Sequence, residues 1–348
     1  MIRRTVSIEN QELRVTVTVE GGHIAEITEK STGVNPLWVP PWPTIEPSQH
    51  SFEKNPEYGA NSESKLLAGI LGHNLALDIF GAPSPEEFRS GLAVHGEASV
   101  VPYDIETQGE SMIARVHLPL AMLDFEREIR LEPGGIVRIR ETVRNLLAMD
   151  RPIAWTQHVT LGPPFIEHGV TQLRLPGRRS MVYPMDLSEH QRYQPGAEFE
   201  WPMAPNKDGS KSDLSVFPNF ERSAGVTCHA VDADRADGSF MAWHPGSQLL
   251  FGYVWRREDF PWISLWEENR SRAFPPWNGI TVTRGVEFGV SPFAEGRRAT
   301  IERGSLFGIP TYRWLAANSS ATVAYLAFAR RSERMHEDTR FLTVAPHS

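Results

Sequence analysis

The stretch Met122–Leu146, "MLDFEREIRLEPGGIVRIRETVRNL", decides the fold class. Leu123, Phe125, Arg127, Ile129 and Leu131 alternate with Asp124, Glu126, Glu128 and Arg130. After Glu-Pro-Gly-Gly the alternation resumes, with Val137, Ile139, Glu141 and Val143 set against charged partners. A period of two places successive side chains on opposite faces of a strand, and Pro-Gly-Gly supplies turn geometry. One face of this hairpin is wet, so it belongs to an antiparallel sheet with a solvated side.

Working outward, "LRVTVTVEGGHIAEITE" gives a second hairpin around Gly21-Gly22. Further strand candidates are Ala114 to Leu118, Ile153 to Leu161, Gln248 to Trp255, Ile280 to Val290 and Thr322 to Ala329. Helical spacing with caps is scarce. The 27 prolines and 27 glycines fall too evenly for one linker to stand out, which predicts an all-β chain forming a single domain over residues 1–348. Two irregular inserts, Pro36 to Lys65 and Gly177 to Ser215, have the length of functional walls or lids.

The composition is globular, with 40% hydrophobic and 22% charged residues. A formal net charge of −8 argues against nucleic acid and anionic membranes as partners. Cys228 is the single cysteine, so an intramolecular disulfide and a thiolate zinc site are both excluded. No apolar run approaches roughly 18 residues, and a cytoplasmic location is expected. The oligomeric state is not readable.

Three segments place chemistry-bearing residues in β context. In "SGLAVHGEASV", a strand would put His95 and Glu97 on one face with Cα atoms roughly 6.5 to 7 Å apart. The alternative is a hydrogen-bonded polar pair at a sheet rim. In "AWTQHVTLGPPF", His158 lies just before Gly162-Pro163-Pro164, near a strand end, where it would meet a ligand or cap the turn. In "ITVTRGVEFGVSPF", Glu287 has Gly285 and Gly289 as its same-face neighbours, which leaves space before the carboxylate, while Arg284 faces away.

His73, His95, Glu97 and His158 could in principle form a metal site, but HxH and HExxH spacings are absent and no metal is expected. No GxSxG elbow, phosphate loop or dinucleotide fingerprint occurs. Ten tryptophans are many for this length, and Trp155, Trp243, Trp255, Trp262, Trp266 and Trp277 lie beside the segments just named. Such rings stack on apolar sugar faces as well as fill cores.

In this order, "GGHIAEIT", "GHNLALDIFG", "GLAVHGEASV", "FEREIRLEPGG", "TQHVTLGPPF" and "GVEFGVSPF" resemble the galactose mutarotase-like superfamily, in its aldose 1-epimerase-related branch. The resemblance runs from Val15 to about Phe293 and implies a large antiparallel β supersandwich. It also implies interconversion of the α and β anomers of a free sugar by acid and base ring opening, without a cofactor. Carried over residue by residue, it makes Glu287 the base at the anomeric hydroxyl, His158 the acid at the ring oxygen and His95 a second polarising histidine. His73, Glu97, Gln157 and Trp266 are then expected as binding groups, with Asp213 or Asp208 as the carboxylate that grips sugar hydroxyls.

The departures lie around the second histidine. The family motif is of the Asn-His-x-Tyr-Phe-Asn type, whereas this chain has Gln157-His158-Val159-Thr160-Leu161. Arg178-Arg179, Arg256-Arg257 and Arg297-Arg298 are the arginine pairs from which a phosphosugar pocket would be built. Two rival readings are a carbohydrate-binding protein that has lost turnover, and a metal-dependent isomerase or lyase using His73, His95, Glu97 and His158.

Overall fold

A computed structural model describes residues 3 to 342, and two large antiparallel sheets dominate it. The hairpin of the opening stretch forms as Leu123–Glu132 and Ile136–Asn145, with Arg127 opposite Glu141. Along its first strand the odd-numbered residues are buried and the even-numbered ones half-buried or exposed, as period two requires. Ser320–Arg331 and Leu249–Arg256 continue that eight-stranded sheet on one side and Ser111–Leu118 on the other.

The second sheet has eleven strands, and its centre carries, side by side, His73–Asp78, Arg151–Leu161, Val282–Gly289, Trp262–Asn269 and Ser223–Ala230. The inner faces of the two sheets meet in a continuous apolar core, where the Trp255 ring stacks on Phe288 at 4.0 Å between centroids. Burying each such side chain is worth about 1.5–3 kcal/mol. The central strands of the larger sheet are buried on both faces because irregular segments cover the side turned away from this core.

A polar layer lies inside the sandwich. Arg127 Nε donates to Glu141 Oε1 at 2.7 Å, and the Trp155 indole and the Gln157 amide donate to Glu141 Oε2 at 2.9 and 2.6 Å. The Tyr325 hydroxyl donates to Glu141 Oε1, and His73 bridges Gln157 Oε1 and the Tyr253 hydroxyl. The charges and most of the hydrogen-bonding groups of this layer are thus satisfied without water.

His95-Gly96-Glu97 is not a strand, contrary to the reading that put both side chains on one face. His95 has φ 63° and Gly96 φ 90°, so the chain turns there. A Cβ on Gly96 would stand 2.2 Å from the Leu77 carbonyl oxygen, so this turn requires glycine.

Candidate active site

Strand register assembles the site. Asn74 lies opposite His158, His158 opposite Glu287, and Glu287 opposite Ser264, so four neighbouring strands present one row on the face turned away from the core. Directly opposed side chains share a face with Cβ atoms about 4.5–5.5 Å apart. Here His158 Nε2 comes within 3.1 Å of Glu287 Oε1, while its Nδ1 is 3.1 Å from the Thr160 hydroxyl.

The two glycines flanking Glu287 act differently. A Cβ at Gly285 would come within 2.7 Å of Glu287 Oε1 and 3.2 Å of the Trp266 ring, so its absence makes room for the carboxylate and the indole. A Cβ at Gly289 would strike the neighbouring strand, 2.6 Å from the Trp155 carbonyl oxygen.

His95 reaches this row from the turn. Its backbone N–H donates to the Gly81 carbonyl, its carbonyl accepts from Leu77, and its Nδ1 accepts from the Gly81 N–H at 3.2 Å. In the neutral ring the proton therefore sits on Nε2. The His95 and His158 rings are 5.1 Å apart at 65°, and Trp266 meets His158 edge-on at 5.9 Å.

These groups line an open cavity of about 220 Å³. One wall is aromatic: Trp266 meets Trp277, which stacks on Trp38 at 6.1 Å, with Trp42 against both Trp38 and Trp277. The Arg272 guanidinium lies 4.6 Å from the Trp277 ring and pairs with Glu268 at 3.4 Å and Glu63 at 3.6 Å. The remaining walls are mostly aliphatic.

Burial sets the protonation. Desolvation raises the Glu287 carboxyl to about 8 and lowers His158 to about 4. His95 is also driven well below its usual value, by burial first and the neighbouring His158 second. At neutral pH the Glu287–His158 contact thus holds one proton, and the pair carries no net charge whichever partner has it.

The other sequence-derived site residues lie elsewhere. His73 and Gln157 belong to the polar layer between the sheets, because Gln157 neighbours His158 in the strand and must face the other way. Glu97 does not orient His95; its Oε2 accepts from the backbone N–H groups of Leu120 and Ala121 at 3.0 and 3.2 Å. Asp213 is exposed and binds the backbone N–H and hydroxyl of Ser215, and Asp208 similarly holds Ser210. Neither lines the cavity, where Glu63 is the other carboxylate beside Glu287.

Four ligands for the metal-dependent alternative therefore do not converge, and among the described residues no group of three or more His, Cys, Asp and Glu is placed to hold a metal ion. Among the arginine pairs, Arg256 binds Asp259, Arg297 binds Asp78 and Glu87, and Arg179 binds Glu198. None lines the cavity. Trp155, Trp255 and Trp262 are core, whereas Trp266 and Trp277 face the site. Glu63 and Arg272 were not singled out in the sequence, and Trp277 was named there only as one of the rings that could stack on a sugar or fill the core. Glu63 comes from the first insert, as a wall should, and Leu187 from the second.

No protein-family model matches the chain, and no curated protein matches it in sequence. Solved structures do match its fold. A galactose mutarotase-like protein from Lactobacillus casei superposes with TM-score 0.59 at 12% identity, over 94% of this chain and 100% of that one. A galactose mutarotase related enzyme from Lactobacillus acidophilus gives 0.58 at 12%, over 96% and 100%. A galactose mutarotase-like protein from Clostridium acetobutylicum gives 0.55 at 11%, over 94% and 96%. The chain has the galactose mutarotase-like fold.

Proposed function

We propose that the protein is a carbohydrate mutarotase that interconverts the α and β anomers of a free aldose. The observation that carries this reading is the 3.1 Å contact between Glu287 Oε1 and His158 Nε2, on the floor of a cavity walled by tryptophan and flanked by His95. Ring opening needs a base at O1 and an acid at the ring oxygen in one event. In the ion-paired arrangement Glu287 is ionised and His158 carries two protons, so the pair supplies both.

Glu287 takes the proton from the anomeric O1–H, and the O1 electrons form the C1=O1 bond. The C1–O5 bond breaks, and O5 takes the His158 Nε2 proton. Glu287 is left protonated and His158 neutral. That is the other proton arrangement of the same pair, and the one burial favours, so ring opening ends with the pair in its low-energy state. After rotation about C1–C2, the protonated carboxyl and neutral imidazole run the steps in reverse on the other face of C1.

His95 acts as a neutral donor. With Nδ1 held by Gly81, its Nε2–H is available to the ring oxygen as negative charge develops there. The flat face of Trp266 covers an apolar face of the sugar ring. No separate oxidant, reductant or nucleophile enters the balance.

Polarimetry of freshly dissolved aldoses with catalytic protein tests the reading. Optical rotation should reach its equilibrium value faster with the wild type than with Glu287→Gln at the same concentration. A panel in which no sugar distinguishes the two proteins would overturn the proposal. Calorimetric sugar binding without such a difference would favour the non-catalytic carbohydrate-binding reading.

A further inference from the structure

We infer that the preferred substrate is a deoxy aldose, one that presents hydrogen where a common hexose presents a hydroxyl. This deepens the mutarotase reading and rests on it for turnover. The cavity leaves few polar side chains for a ligand, the unpartnered Trp277 indole N–H among them. Glu287, His158 and His95 cluster at the floor and are taken by O1 and O5. Arg272 is already paired with Glu268 and Glu63, and its guanidinium packs on the Trp277 ring.

Beyond the floor the cavity is walled mainly by Leu66, Leu67, Ile70, Val94, Leu187 and Val226. Leu66 and Leu67 belong to the short helix Ser64–Leu67, and with Ile70 and Val94 they are buried in one apolar cluster with Trp38 and Trp277. A hydroxyl pressed against such a wall loses its water and gains no partner. An aldose hydroxyl that faces this wall, away from the open mouth, is left unpaired. Replacing that hydroxyl with hydrogen removes the penalty and adds apolar contact.

The test compares matched sugars that differ by a single hydroxyl: glucose and galactose, each against its 2-, 3-, 4- and 6-deoxy counterparts. Binding is read by calorimetry and anomer exchange by saturation transfer on the same samples. In at least one pair, the deoxy sugar should bind more tightly and exchange with a kcat/KM about 10- to 100-fold higher. Leu67→Asn should narrow that ratio by improving the parent sugar. Tighter deoxy binding with no exchange would support this inference while overturning the mutarotase reading. Equal or tighter binding of the parent sugar in every pair would overturn the inference, and exchange on the same samples would judge the mutarotase reading separately.

Discussion

At the scale of single residues, the site depends on one missing methyl group. Gly285 leaves the volume that the Glu287 carboxylate and Trp266 occupy, and the atoms its Cβ would meet belong to side chains. Gly285→Ala should therefore leave the strand intact and displace the carboxylate. We predict a loss of about 10²-fold in anomer exchange with little change in Tm. Gly289→Ala meets the backbone of Trp155 and Thr156 instead, and should lower Tm markedly. Thermal denaturation and exchange rates measured side by side check both, and equal loss of stability in the two variants would contradict the assignment. The sequence showed these glycines and their parity with Glu287, but not that one serves the carboxylate and the other the neighbouring strand. That distinction depends on which strand packs alongside.

At the scale of elements, the register of antiparallel strands carries both the fold and the site. Period two in Met122–Leu146 put Arg127 and Glu141 on the apolar face, and the hairpin brings them opposite each other at 2.7 Å. Both are almost fully buried, so removing one strands the other's charge. Arg127→Met should cost about 3–5 kcal/mol in denaturant unfolding, and adding Glu141→Leu should recover part of it. A double variant no more stable than Arg127→Met alone would contradict this account. The same parity rule turns Gln157, beside His158, away from the cavity, so the expectation that it binds substrate fails. His95-Gly96-Glu97 was not legible in this way, because the positive φ angles at His95 and Gly96 break the alternation on which that reading relied.

At the scale of the whole molecule, the order of the motifs located three candidate site residues far apart in the chain, and the sheet, with the turn at His95, brings His95, His158 and Glu287 to one cavity. The two inserts were legible as wall-forming segments, but the individual wall residues were not. Glu63, Arg272 and Trp277 come from segments without periodicity, and their positions follow from tertiary packing alone. The central claim is that one proton shared by Glu287 and His158 drives ring opening, and it fixes the pH dependence. Glu287 is raised, so the base is lost to a second proton on the pair only as pH falls through the depressed His158 value near 4. The acid is lost as pH rises through the Glu287 value near 8. The pH profile of kcat/KM for anomer exchange should therefore be a plateau with limbs near these two values. A profile that keeps rising above 8, or one unchanged in Glu287→Gln, would contradict the account.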